Sequence, residues 1–299
     1  MKFGIVGPGA LGTFFAGKLG VKNDVILVGK RDFPLSEVTI TGRTDLTTKI
    51  DYTNDKSKLT NLDCIILCTK SYDTQKAIME IRKHLNGDEY ILSLQNGLKN
   101  EQVISKYVDK KRIIGGITGH GITFLDLGKV HHAGKGKTII GSFYGENGVM
   151  ENNIASSFKD SNIEIEITDN IYGHIWKKVI INSGINLLTA LTGLKNGKLL
   201  ENEYLHELMV NICAEGKEVA NHEVELPEND PIKETEHTAR LTSDNKSSML
   251  QDIEKERKTE IDCITEAIIE KGEQLGIKTP YNKTIYSLIK GKERSYLSD

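Results

Sequence analysis

The first half of the chain alternates short apolar segments with longer stretches of helical spacing. The apolar segments lie at residues 2–6, 24–28, 64–69, 90–94 and 112–117. They are rich in Ile, Val and Leu and mostly lack alternation with polar residues, which is typical of parallel strands buried on both faces. Strands alternating with helices predict a doubly wound α/β sheet. Residues 129–132 and 137–142 predict a small antiparallel addition, and residues 163–167 predict a last strand.

From about Ile171 the pattern changes, because Ile and Leu recur at helical spacing and strand-like runs disappear. Helices are predicted at residues 171–191, 201–222, 230–238, 246–275 and 282–294. We therefore expect an α/β domain over residues 1–169 followed by an all-α domain over residues 170–299, with the boundary near Asp169-Asn170.

Length and charge agree with this division and exclude some classes of protein. A chain of 299 residues is long for one hydrophobic core. With 38% hydrophobic and 27% charged residues, the composition is that of an ordinary soluble protein. A net charge of −3 gives no electrostatic footprint for nucleic acid.

Neither a membrane span nor an export signal is expected. No apolar run reaches the ~18–20 residues that a spanning helix needs, and the start of the chain is soon interrupted by glycine. The four cysteines form no Cys-x-x-Cys pair, and Cys64 and Cys68 lie in a predicted buried strand. Unpaired, reduced cysteines favour a cytoplasmic location.

The first candidate site is a glycine-rich turn, Gly7-Pro8-Gly9-Ala10-Leu11-Gly12, between the first strand and a predicted helix. In a G-x-G-x-x-G turn of this kind, the first glycine allows the tight turn, and the second lets the backbone approach a pyrophosphate. The third lets helix and strand pack closely, and the helix N-terminus attracts the phosphates. This context predicts a Rossmann-type dinucleotide-binding domain; a glycine turn without a ligand is the alternative.

The residues at the end of the second strand indicate which dinucleotide the domain binds. NAD-binding proteins usually carry an acid there that holds the ribose 2′-hydroxyl. This chain has Lys30-Arg31, two cations that suit the 2′-phosphate of NADP. A solvated surface pair is the alternative, and the adjacent Asp32 leaves some use of NAD open. We predict a preference for NADPH.

Polar residues follow two of the predicted strands. Lys70 follows residues 64–69, and Asn96 follows the strand at 90–94 and precedes Gly97. Because ligands of open α/β sheets bind beyond the carboxyl ends of the strands, both are candidate cofactor or substrate contacts. A surface lysine and an Asn-Gly turn are the alternatives. His131-His132 has no partner at metal-ligand spacing, so no metal site is predicted.

The predicted helix at 171–191 is apolar on most sides and is therefore expected to be buried. Lys178, Asn182 and Asn186 are spaced four residues apart and form one polar stripe along it. Burying such groups without partners is costly. The stripe is therefore either a satisfied core network or the wall of a polar pocket.

A carboxylate interrupts the apolar face predicted for the long helix at 246–275. Met249, Ile253 and Ile264 lie on that face, and Glu260 falls within it. A buried carboxylate usually has a cation nearby, and Lys178 is the candidate.

Together these motifs resemble the ketopantoate reductase family over essentially the whole chain. The matching features are the glycine turn, Lys70, Asn96-Gly97, the Lys178-Asn182-Asn186 stripe, Ser247-Ser248-Met249-Leu250-Gln251-Asp252 and Thr259-Glu260-Ile261-Asp262. The resemblance implies that Lys178 is the catalytic lysine and Glu260 an active-site glutamate. It implies substrate contacts at Asn96, Asn182, Asn186 and Ser248, and a cofactor contact at Lys70. The family's 2′-phosphate arginine aligns best with Lys30, with Arg31 one residue later.

The resemblance further implies NADPH-dependent reduction of 2-dehydropantoate to pantoate, on the route to pantothenate and coenzyme A. The expected partner is a small 2-keto acid, and a homodimer is one option for the oligomeric state. Two alternatives stay open: a paralogue that reduces another small 2-keto acid, and a sensor that binds NADPH without turnover. A sensor would not need both Lys178 and Glu260, which favours an enzyme.

Overall fold

The computed structural model describes residues 1–297, and the chain divides into two compact units. Unit 1 consists of Met1–Gln95 and Asn100–Ile171. Unit 2 consists of the short segment Asn96–Lys99 and the residues from Tyr172 onwards.

Unit 1 contains all the strands of the described residues. In chain order they are β1 (Lys2–Val6), β2 (Asp24–Val28), β3 (Glu37–Gly42), β4 (Leu46–Lys49), β5 (Asp51–Thr53), β6 (Cys64–Leu67), β7 (Tyr90–Ser93), β8 (Ile113–Thr118), β9 (Gly121–Asp126), β10 (Lys129–Gly134), β11 (Thr138–Ser142) and β12 (Ile165–Ile167). Its α-helices are α1 (Ala10–Leu19), α2 (Thr74–Arg82), α3 (Asn100–Ile104) and α4 (Val149–Asp160). Short 3₁₀ helices lie at Lys56–Leu59, Ser71–Asp73 and Lys110–Arg112.

The main sheet has eight strands in the order β12-β11-β8-β7-β6-β1-β2-β5. Its central strands are parallel, with Phe3 of β1 paired to Val25 of β2 and to Cys64 of β6. Phe3, Val25 and Cys64 belong to the buried core, as expected for strands covered on both faces. The predicted doubly wound sheet is confirmed. Its chain order reverses between β1 and β6, the position at which such sheets bind ligands.

The prediction of one antiparallel addition at 129–132 and 137–142 was wrong, because these strands lie in different sheets. β11 pairs antiparallel with β8 at one side of the main sheet. β10 lies inside a second, four-stranded sheet of order β4-β3-β10-β9, parallel to β3 and antiparallel to β9. The partners β3, β4 and β9 were not predicted, although Val38 and Ile40 of β3 alternate with polar residues and are buried, as in a strand with one covered face.

Unit 2 is helical throughout its described residues. Its helices are α5 (Ile171–Thr192, which begins one residue before the unit), α6 (Lys198–Glu201), α7 (Glu203–Asn221), α8 (Pro231–Leu241), α9 (Ser248–Glu254), α10 (Ile261–Leu275) and α11 (Pro280–Arg294). The helical C-terminal region is thus also confirmed. No helix of residues 1–297 is both long and apolar enough to cross a membrane.

The single long helix predicted at 246–275 was wrong, since the segment forms α9, a connecting turn and α10. Glu256 has a φ of 51° in this turn, which is incompatible with a continuous right-handed helix. The turn is held by a distant group, because the carboxylate of Glu293 accepts a hydrogen bond from the amide of Thr259. Glu260 therefore caps the start of α10 and is not a residue of a helix interior.

Candidate active site

The glycine turn of unit 1 has the geometry that its sequence predicts. Gly7 has a φ of 107°, and a Cβ atom on Gly12 would lie 2.0 Å from the carbonyl oxygen of Gly7. At Gly9, in contrast, an added Cβ would meet no atom within 4 Å. The turn is therefore closed on the side of the sheet and open at Gly9, where a ligand would approach.

The first turn of α1 fits a pyrophosphate. Gly9 is the N-cap and supplies no side-chain hydrogen bond, and the first turn carries no acidic residue. Pro8 directs its carbonyl back to the hydroxyl of Thr13, at 3.3 Å, and Leu11 packs against the core. The amide groups at the start of the helix, including that of Ala10, are left to bind an anion.

Lys30 and Arg31 follow β2 and differ in their surroundings. The Nζ atom of Lys30 lies 2.8 Å from Oδ2 of Asp73, which the sequence did not point to. The carbonyl of Arg31 accepts a hydrogen bond from the hydroxyl of Tyr52, at 2.8 Å. Among residues 1–297, no carboxylate lies within ion-pair distance of the Arg31 guanidinium.

Lys70 lies at the end of β6, as predicted, and caps the 3₁₀ helix Ser71–Asp73. Behind it, the side-chain amide of Gln95 donates hydrogen bonds to the hydroxyls of Thr69 and Thr74, at 2.9 and 2.8 Å. These two hydrogen bonds join the segments that follow β6 and β7 at the carboxyl edge of the sheet.

In unit 2, Asn96 and Glu260 are brought together although they are far apart in the chain. The Nδ2 atom of Asn96 donates a hydrogen bond to Oε2 of Glu260 at 3.1 Å. Gly97 has a φ of 92°, and its added Cβ would lie 2.5 Å from the carbonyl oxygen of Cys263. That carbonyl accepts the amide of Leu98 at 2.9 Å. Gly97 thus permits the close approach that places Asn96 beside Glu260.

Lys178 lies on α5 and its ammonium makes no hydrogen bond or ion pair with any residue of the described part of the chain. Burial lowers the pKa of Lys178 to about 8, and the nearby charge of Glu260 opposes this shift. A lysine with such a pKa is largely protonated at neutral pH, yet gives up its proton more readily than a surface lysine.

Asn182 and Asn186 follow Lys178 on the same face of α5, and neither amide is hydrogen-bonded to another described residue. Asn186 is 6% exposed. Ser248 is exposed at the first position of α9, whereas Ser247 is buried and caps that helix. The polar stripe is therefore not a satisfied network within unit 2, which favours the interpretation as a pocket wall.

One further residue that supports the site was not predicted. Glu293 is 2% exposed, and its Oε1 accepts a hydrogen bond from the amide of Thr259 at 2.6 Å, directly before Glu260. No sequence pattern links Glu293 to Glu260, because the two residues lie on different elements.

None of the described residues forms a cluster of three or more His, Cys, Asp or Glu side chains that could hold a metal ion.

Two family profiles match the chain in order. Residues 3–145 match the profile described as ketopantoate reductase PanE/ApbA, and residues 170–293 match its C-terminal counterpart.

Relatives of known name match over nearly the whole length. The 2-dehydropantoate 2-reductase of Pyrococcus abyssi is 36% identical, with 98% of each chain covered. The enzyme of the same name from Archaeoglobus fulgidus is 32% identical, with 97% of each covered. A solved PanE/ApbA family ketopantoate reductase from Ralstonia eutropha has a TM-score of 0.89 at 28% identity, covering 99% of both chains. A D-mandelate dehydrogenase solved with NADH and anilino(oxo)acetate has a TM-score of 0.91 at 26% identity, again covering 99% of both. The chain belongs to the ketopantoate reductase family.

Proposed function

We propose that this protein is an NADPH-dependent 2-dehydropantoate 2-reductase that forms pantoate for pantothenate and coenzyme A biosynthesis. The observation that carries the proposal is Lys178, a half-buried lysine on α5 whose pKa is lowered by desolvation and whose charged form is favoured by nearby Glu260. The full-length relatives named for the same reaction support it.

The glycine turn of unit 1, from Gly7 to Gly12, binds the pyrophosphate of the cofactor in this proposal. The structural relative in complex with NADH supports a nicotinamide cofactor. The cations Lys30 and Arg31 favour NADPH over NADH, because they can pair with a 2′-phosphate. Lys70 and Asn96 are the further cofactor contacts.

When bound, NADPH supplies the hydride that reduces C2 of the keto acid. Lys178 donates a hydrogen bond to the C2 oxygen and delivers the proton that this oxygen requires as negative charge develops on it. General-acid assistance of this kind is typically worth ~10²–10⁴-fold in rate. Fixed donors at the same oxygen add electrostatic stabilisation.

Glu260 serves as a hydrogen-bond acceptor for the substrate hydroxyl and helps to keep Lys178 charged. Its carboxylate is oriented by Asn96, through the 3.1 Å hydrogen bond, and by the turn that Glu293 holds. Asn182 and Asn186 present free amides that bind the substrate, and the exposed Ser248 hydroxyl suits its carboxylate.

Unit 1 is then the cofactor-binding domain and unit 2 the catalytic domain. None of the cysteines in residues 1–297 takes part in a disulfide bond, which supports a reducing, cytoplasmic location.

A substrate panel tests the proposal. NADPH oxidation is followed at about 340 nm with 2-dehydropantoate, pyruvate, 2-oxoisovalerate and 2-oxobutanoate, and kcat/KM is compared. We expect 2-dehydropantoate to exceed the other acids by at least about tenfold. Equal rates with all four would remove the substrate assignment, and no oxidation with any would remove the reductase.

A further inference from the structure

The ion pair between Lys30 and Asp73 connects two strand ends. Lys30 follows β2 and Asp73 follows β6, and these strands flank β1 in the sheet. β1 leads directly into the glycine turn. The pair therefore lies in the part of unit 1 where the sequence predicts the adenosine ribose.

Asp73 changes the charge that this region offers to a ligand. Lys30 and Arg31 provide two cations, but Asp32 and Asp73 provide two carboxylates. The net charge of the four side chains is therefore zero. Lys30 is also already engaged, since its Nζ lies 2.8 Å from the Asp73 carboxylate, which is itself 29% exposed. A 2′-phosphate carries a charge of about −1.5 to −2 and would have to share Lys30 with this carboxylate.

With the adenosine ribose at this edge of the sheet, Asp73 would face either form of the cofactor. It can accept a hydrogen bond from a free ribose 2′-hydroxyl, as the acid of NAD-binding proteins does. It repels a phosphate at the same position. Lys30 and Asp73 therefore act in opposite directions on the choice between NADPH and NADH.

We propose that Asp73 is the residue that limits the preference for NADPH, by neutralising Lys30 and repelling the 2′-phosphate. The inference rests on the proposed use of NADPH and adds that its margin over NADH is set by the Lys30–Asp73 pair.

The effect of Asp73 on recognition of the 2′-phosphate can be measured by binding two small adenylates to the full-length protein. Adenosine 2′,5′-bisphosphate carries the 2′-phosphate and 5′-AMP lacks it, so the ratio of their dissociation constants measures recognition of that group alone. For Asp73→Asn we expect this ratio to shift toward the bisphosphate by about three- to tenfold, since one charge is removed near a dianion at partly screened distance. Binding of 5′-AMP should stay equal or weaken slightly.

A second variant completes the cycle. Lys30→Met leaves Asp73 without its cation and should weaken binding of the bisphosphate by about tenfold or more. The double variant that also carries Asp73→Asn should recover part of this lost affinity. The matched control is Glu166→Gln on the edge strand β12, which removes the partner of Lys137 in an ion pair of 2.7 Å far from Asp73 in the strand order. It should leave both adenylates unchanged, and thermal melting verifies that each variant is folded.

The outcomes separate the two proposals. Weaker bisphosphate binding in Asp73→Asn would overturn the inference, because Asp73 would then position Lys30 for the phosphate. If the wild type prefers the bisphosphate and Asp73→Asn leaves the ratio of the two dissociation constants unchanged, the inference about Asp73 would also be overturned, and the proposed use of NADPH would stand. If the wild type shows no preference for the bisphosphate and Asp73→Asn creates none, the proposed use of NADPH would itself be contradicted.

Discussion

At the scale of single residues, the reaction depends on how the environment of Lys178 alters an ordinary lysine. Burial disfavours its charged form, and the carboxylate of Glu260 favours it, with a resulting pKa of about 8. This balance keeps the ammonium available as an acid near neutral pH. It explains why a lysine on the largely apolar α5 occurs together with a glutamate at the start of α10.

Replacing Lys178 should therefore affect the chemical step. In Lys178→Ala we expect kcat to fall by about 10²–10⁴-fold, because the proton donor and the hydrogen bond to the C2 oxygen are both lost. Steady-state kinetics with 2-dehydropantoate measure this. Lys177→Ala is the matched control, since the Lys177 ammonium donates to the carbonyl of Glu228 near the surface, at 3.3 Å. A decrease of kcat below about tenfold in Lys178→Ala would contradict the general-acid role.

The same residue predicts a pH dependence. Reduction requires protonated Lys178, so kcat/KM should be level below pH 8 and should fall above it, where the group of pKa about 8 loses its proton. The slope should approach about tenfold per pH unit. Lys178→Arg, which stays charged, should be slower and should lack this fall. An alkaline decline that persists in the arginine variant would assign the pKa to another group.

At the scale of elements, the site depends on two breaks in regular structure. One is the left-handed turn at Gly97 after β7, and the other is the turn that ends α9 and begins α10. Together they place Asn96 3.1 Å from Glu260. Each break is stabilised by a group distant in the chain, Cys263 in the first case and Glu293 in the second.

Gly97→Ala tests the first break. Its Cβ would lie 2.5 Å from the Cys263 carbonyl, so the segment must move and Asn96 with it. We expect kcat to fall by about tenfold or more, since small displacements of positioned groups are costly. Gly87→Ala is the matched control, because Gly87 has a similar φ of 94° but open space around an added Cβ. Equal kcat in both variants would show that Gly97 is needed only for its own conformation.

At the scale of the whole molecule, folding buries ionisable groups that have no evident role in the reaction. Glu101, in the first turn of α3, is 2% exposed. Burial raises its pKa from 4.5 to about 7. The folded protein therefore holds a proton on Glu101 over a pH range in which the unfolded chain releases it.

This predicts a loss of stability with rising pH. Since the folded state binds more protons between pH 4.5 and 7, the free energy of unfolding should decrease across that window. Glu101→Gln removes this titrating group. Its free energy of unfolding relative to wild type should therefore increase by ~1–3 kcal/mol between pH 5 and pH 8. Thermal melting at several pH values measures the difference. Glu164→Gln, at an exposed position, should show no such trend, and a parallel response of the two variants would contradict the prediction.

Features within one short stretch of chain were predictable from the sequence. The glycine turn combines a strand, a tight turn and a helix start within a few residues, and the structure shows the close contact expected at Gly12. The stripe on α5 follows from helical spacing alone. The central strands of the main sheet were predictable because burial on both faces leaves continuous apolar runs, whereas the edge strand β5 (Asp51–Thr53) was not predicted.

Other features depended on contacts between distant parts of the chain, which no local pattern records. The predicted helix through Glu260 continued an apolar spacing across a turn that Glu293 holds from α11. The short runs β3, β4 and β9 join β10 in a second sheet, and that pairing is decided in space. Asp73 comes close to Lys30 only because β6 and β2 lie on either side of β1 in the sheet. The sequence by itself thus determined the fold class, the glycine turn and the residue types available for catalysis. Which carboxylate meets which cation was decided by the tertiary structure, because electrostatic and hydrogen-bond energies depend on distances in space and not on separation along the chain.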